Sequence, residues 1–119
     1  TENQVKETDY CGIVSGAKKD KTADCGFSVF YGHLKTAPLI EQCPVNLECK
    51  VVHILNLGSH YLIVGQVEET HVSEDCTSGG QPDVGKVKPI IFSVGAEKRY
   101  FGMGETLAKA FSAGKELKK

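Results

Sequence analysis

Val45-Asn46-Leu47-Glu48-Cys49-Lys50-Val51-Val52-His53-Ile54-Leu55-Asn56-Leu57, then Gly58-Ser59, then His60-Tyr61-Leu62-Ile63-Val64-Gly65-Gln66-Val67 is the stretch that decides the fold. From Val45 to Val51 apolar and polar residues alternate, the mark of a half-buried strand. From Val52 to Leu57 the run becomes apolar on both faces, as expected where a strand bends into a closed sheet. Gly58-Ser59 is a turn signal, and the chain returns as a second strand that decays into polar alternation between Glu68 and Val72. Together these segments predict a long antiparallel hairpin. Gly65 in mid-strand marks a bulge or a close approach of backbone to something else. The register stays open, because both strands are apolar on both faces near the turn.

Outward from the hairpin the signals weaken. The chain up to Gly16 reads as a weak helix, with Val5, Tyr10, Ile13 and Val14 ahead of a Ser15-Gly16 stop. A charged stretch, Ala17 to Lys21, follows. Residues 22–44 read as irregular, with an apolar patch at Phe27, Val29, Phe30 and Tyr31, and with Pro38 and Pro44 as breakers. Residues 73–88 form a polar loop, and Pro89 to Val94 a short third strand. Glu105 to Leu117 reads as a helix with Leu107, Ala110, Phe111, Gly114 and Leu117 on one stripe. Gly114 weakens that helix by roughly 1 kcal/mol relative to alanine. Three strands and two helices are too little sheet to close a barrel, and the hairpin would leave an unprotected edge. Either more chain lies upstream or another subunit covers that edge.

Composition sets the class. The chain has 119 residues, of which 40% are hydrophobic and 24% charged, the size and balance of one ordinary globular domain. A net charge of −1 gives no general attraction for nucleic acid. No apolar run approaches the roughly 20 residues that span a bilayer, and no signal peptide is legible, so no membrane partner and a cytoplasmic location are expected. Cys11, Cys25, Cys43, Cys49 and Cys76 form an odd set without CxxC or zinc-like spacing. They read as reduced thiols, and no metal site is expected. The sequence opens on Thr1 rather than methionine, which fits a processed or fragmentary product.

The strongest anion-binding candidate is Ser15, Gly16 and Lys21, where a glycine bend exposes backbone N–H groups, a hydroxyl donates and a lysine adds charge. It lacks the spacing of a nucleotide-triphosphate loop; a solvated charged turn is the plainer reading. His53, between Val51 and Leu55, reads as a hydrogen-bonded interior or interface histidine. His33 and His71 carry no signal. No serine or cysteine has a histidine and an acid in a recognisable nucleophile context.

Several segments, in order, carry a family likeness. Asp9-Tyr10-Cys11-Gly12-Ile13-Val14-Ser15-Gly16 with Asp20-Lys21 resembles a segment of flavoredoxin-like proteins. So do Ala37-Pro38-Leu39-Ile40 and Cys43-Pro44-Val45-Asn46-Leu47-Glu48-Cys49, which lead into the long strand. Gly58-Ser59-His60 to Val67 is similar to the Gly-Asp-His hairpin of flavin reductases, and Arg99-Tyr100-Phe101-Gly102 through Lys115 to the family's C-terminal ending. Thr22 and Ser59 depart from the family's usual phenylalanine and aspartate, and residues 23–36 match poorly.

The resemblance implies an FMN-binding domain of the flavoredoxin and flavin-reductase-like family. Its expected fold is mainly β with peripheral helices, a partial or complete antiparallel split β-barrel. Residues 1–119 would be the C-terminal portion of one such domain, its N-terminal half absent. The implied function is electron transfer through FMN from NAD(P)H or a reduced carrier. His60 would lie near flavin and nicotinamide as the catalytic residue, Ser15, Gly16 and Lys21 near the flavin phosphate, and Tyr100 over a ring face. Two other readings stay open: an FMN electron carrier without nicotinamide chemistry, and a flavin-free half-domain held together by oligomerisation. The implied partners are a second copy, as a homodimer or higher oligomer, and a redox partner protein.

Overall fold

The long hairpin dominates the computed structural model, which describes residues 1–118. In chain order the elements are helix α1 (Val5–Ile13), the short helix α2 (Lys21–Asp24), and strands β1 (Val29–Tyr31) and β2 (Pro38–Ile40). The hairpin strands β3 (Val45–Asn56) and β4 (Tyr61–Val72) come next, followed by β5 (Thr77–Ser78) and β6 (Gln81–Pro82). Helix α3 (Val84–Val87) and strands β7 (Ile91–Ser93) and β8 (Arg99–Phe101) complete the regular structure, apart from three 3-10 turns. Each strand pairs with its sequence neighbour, giving four separate two-stranded antiparallel sheets. The architecture is thus mainly β with helices at its margin, and the described residues close no barrel.

The hairpin register is now explicit. Glu48 faces Glu69 while Cys49 faces Val67, so Glu68 is an extra residue on β4. Val51 faces Gly65 while His53 faces Val64, so Val52 is an extra residue on β3. Gly65 sits beside this second bulge, and a Cβ there would lie 3.0 Å from the Cys49 Cβ. Bulges add twist and bend the strands locally. Near the hairpin's base, moreover, the buried row is the polar one. Glu48 is 0% exposed and Asn46 half-buried, while Leu47 points outward. Asn46 stitches β2 to the start of β3: its Oδ1 accepts from the Ile40 N–H (3.0 Å), and its Nδ2 donates to the Ile40 and Cys43 carbonyls (3.0 and 2.8 Å).

Local chemistry explains the smaller elements. Asp20 caps α2 by accepting from the Thr22 and Ala23 N–H groups, both at 3.1 Å, which satisfies donors that a helix start leaves open. Asp83 does the same for α3 through Gly85 N–H at 2.9 Å. Residues 22–44 are therefore more ordered than the sequence reading, since α2, β1 and β2 lie within them. The loop at 73–88 likewise holds β5, β6 and α3.

The C-terminal helix expected over 105–117 does not form. Only a 3-10 turn at Ala113–Leu117 is present, and Leu107 and Phe111 are 97% and 99% exposed. A short amphipathic helix draws most of its stability from a surface that buries its stripe, and here none does. The same shortage holds throughout. Leu39 and Cys76 are the buried apolar residues among those described. The accessible surface is 9743 Å², against about 6,300 Å² for a compact monomer of this mass. The radius of gyration is 17.6 Å, against about 13–14 Å for a compact domain of this length.

Candidate functional site

At the base of the hairpin a carboxylate is fully enclosed. The loop after β1 turns its backbone toward β3, so that Glu48 accepts from the His33 N–H at 2.8 Å (Oε1) and the Leu34 N–H at 2.7 Å (Oε2). His71, one diagonal step along β4, brings Nε2 to 2.6 Å from Glu48 Oε1. Phe30 packs edge-on against the His71 ring at 5.8 Å. Gly32 makes the approach feasible, because a Cβ there would lie 1.7 Å from Glu48 Oε1. The Leu34 N–H, then His71 and the His33 N–H, outweigh desolvation and hold the Glu48 carboxyl at about 2. Such a group stays ionised at neutral pH and is a poor general base. Glu48, Glu69 and His71 lie close enough to share an ion, yet both Glu48 oxygens already accept hydrogen bonds. We assign this cluster a structural role: it pins the β1–β2 loop to the long hairpin. Sequence reading missed it, because a glutamate in an alternating strand reads as solvent-facing and His71 gave no signal.

Ser15, Gly16 and Lys21 lie on one bend after α1. Ser15 follows the end of α1; its Oγ accepts from the Ala17 N–H at 3.3 Å, and its carbonyl accepts from Lys18 and Lys19. Gly16 lies against Lys21, whose Cε would be 3.9 Å from a Cβ at that position. The Lys21 ammonium donates to the Cys11 carbonyl at 2.6 Å, where it complements the negative end of α1. Tyr100 stands apart from this bend. Its ring tilts against Phe92 at 5.0 Å and its hydroxyl donates to Asp9 Oδ1 at 3.3 Å, docking β7–β8 onto α1. Burial, more than the nearby Asp9 charge, pushes its phenol up. His60 is exposed at the hairpin turn, with Nδ1 2.9 Å from Ser59 Oγ.

Between base and turn the hairpin is an open apolar wall. Val51, Ile54, Leu55, Leu62, Ile63 and Val67 are all exposed. A wall of this kind suits one face of a planar heterocycle, and the lysine-bearing bend suits an anion. The cavities of about 430, 320, 180 and 170 Å³ are lined by none of Ser15, Gly16, Lys21, His60 and Tyr100. The chemistry of the wall and of the bend is compatible with a flavin, and none of these four cavities joins them.

Comparison with known proteins gives the family. The flavin reductase like domain model matches residues 1–92. The flavoredoxin of Methanosarcina acetivorans is 40% identical and superposes with a TM-score of 0.90 over 98% of this chain. The flavoredoxin of Desulfovibrio vulgaris is 37% identical, with a TM-score of 0.87 over 97%. An uncharacterized protein of Archaeoglobus fulgidus is 33% identical over 67% of the chain. The chain spans 61% of each flavoredoxin and 45% of the Archaeoglobus protein, in keeping with strands that close no barrel by themselves. On the match to residues 1–92 and the likeness to the two flavoredoxins, the chain belongs to the flavin reductase like domain family and carries part of its split-barrel fold.

Proposed function

We propose that this chain is the C-terminal portion of a split-barrel domain that binds FMN and passes electrons through it from NAD(P)H or a reduced carrier. The observation that carries this reading is the superposition on a flavoredoxin at 40% identity over 98% of the chain. Bound flavin supplies the hydride and single-electron chemistry, and the protein supplies binding, orientation and electrostatics. Ser15, Gly16 and Lys21 would take the phosphate, Tyr100 a ring face, and His60 would orient the reacting partner at the end of the wall. Lys21 must then share its ammonium between the Cys11 carbonyl and the ligand, which its three donors allow.

The exposed apolar wall supports a homodimer or higher oligomer, since closed symmetric pairs are the commonest way of covering such a surface. A redox partner protein belongs to the same reading. The five unpaired cysteines fit a cytoplasmic setting, and the net charge of −1 gives no general attraction for nucleic acid. No described helix is long and apolar enough to cross a membrane.

FMN titrated into the purified domain that contains this chain, followed by quenching of flavin fluorescence, tests the proposal. Saturable binding weakened by Lys21→Ala is expected; no binding by that domain at any concentration would overturn it. Stopped-flow reduction of the complex by NADH and NADPH then decides the donor. Ser59 in place of the family's aspartate favours a second reading, an electron carrier that a partner reduces while both nucleotides fail.

A further inference from the structure

Helices α1 and α2 meet through two contacts with the same sequence offset of 14 residues. The Tyr10 hydroxyl donates to Asp24 Oδ2 at 2.5 Å, and one residue further along each segment the Cys11 and Cys25 sulfurs lie 4.0 Å apart. Lys21 adds a third tie through the Cys11 carbonyl. The hydrogen bond to Asp24 pushes the Tyr10 phenol up to about 12, so this tie persists through the range in which thiols ionise. The two sulfurs are therefore held as neighbours by contacts that do not involve them. Forming a bond of about 2.05 Å from this separation asks for side-chain rotation and a small approach of the two helices.

Both cysteines are half-buried, and each borders its own opening. Cys11 lines the cavity of about 320 Å³ with Glu7, Phe27 and Cys43, and Cys25 lines that of about 180 Å³ with Lys6, Tyr10 and Asp24. The other thiols are differently placed. Cys43 receives a hydrogen bond from Gln4 Nε2 at 3.4 Å, Cys76 is buried, and Cys49 is exposed on β3.

We infer that Cys11 and Cys25 form a reversible dithiol–disulfide site that exchanges with low-molecular-weight disulfides. The Cys11 thiolate attacks one sulfur of the small disulfide, whose S–S bond breaks and releases one thiolate. Cys25 then gives its proton to solvent and attacks the Cys11 sulfur, releasing the second thiolate. Two protein thiols are oxidised to one disulfide, and the reagent is reduced to two thiols. Burial, and then the hydrogen bond to Cys11, push the Cys25 thiol up, which disfavours it as the first nucleophile.

The test uses the 119-residue chain without flavin, incubated with oxidised glutathione, quenched with N-ethylmaleimide and mapped by peptide mass spectrometry. A peptide linking Cys11 to Cys25 is expected, with the other three thiols alkylated and the link lost on adding dithiothreitol. In Cys25→Ser, glutathione should remain on Cys11. The inference fails if Cys11 and Cys25 both stay alkylated where an unstructured dithiol peptide oxidises. It fails equally if Cys11 links to Cys43, or if the link joins two copies of the chain. Because no flavin is present, this result stands apart from the outcome of the FMN titration.

Discussion

The two ends of the long hairpin solve the same problem in opposite ways. At its base, β3 and β4 bury a carboxylate and satisfy it with two backbone N–H groups and an imidazole. Toward its turn, the same strands expose apolar side chains in both rows. A buried charge is stable only when its hydrogen bonds are complete, and the base completes them internally. An exposed apolar wall is covered by another surface or not at all. The base is therefore complete within this chain, whereas the wall is apolar surface that this chain leaves exposed.

Removing the carboxylate should break the comparison most severely. Glu48→Ala leaves the His33 and Leu34 N–H groups unpaired and strands His71. Its unfolding midpoint, measured by circular dichroism, should fall further than that of Gly32→Ala, Asn46→Ala or Ile63→Ser. Glu48→Gln should restore part of the loss. The pH dependence has a defined sign. The folded-state pKa is depressed, so the contribution is full above the ordinary value of 4.5 and is lost as pH falls toward about 2. Wild-type stability should drop across that window, and the Glu48→Gln variant should lack this component. Gly32→Ala attacks the same cluster sterically, since its Cβ would overlap Glu48 Oε1; a loss of about 1–3 kcal/mol is expected from denaturant unfolding. Asn46→Ala removes three hydrogen bonds around the β2–β3 connection, and should cost about 2 kcal/mol. Ile63→Ser, on the wall, sharpens the contrast. Stability of the isolated chain should change by less than about 0.5 kcal/mol, while self-association in sedimentation should weaken.

The same contrast explains what was legible beforehand. The hairpin was readable because alternation and a Gly58-Ser59 turn are local signals. Which row faces inward was not: Glu48 is buried and Leu47 exposed, and that choice depends on a loop 14 residues upstream that supplies the donors. The register was hidden because rows apolar on both faces carry no phase. Of the candidate site, Ser15, Gly16 and Lys21 were legible as one cluster because a single bend gathers them. The Glu48–His71 contact spans 23 residues and left no local trace. The stripe at 107–117 failed for a related reason: periodicity names a face, and only a neighbour makes it a helix.

The two extra residues, Glu68 on one strand and Val52 on the other, behave like a matched insertion and deletion in a reading frame. Each alone displaces all pairing distal to it by one step and turns those side chains over. Together they cancel, so both strands run to the turn with the same twelve-residue length. With only one of the two bulges, the pairing would stay offset by one residue from that point to the turn, and the base would keep its register.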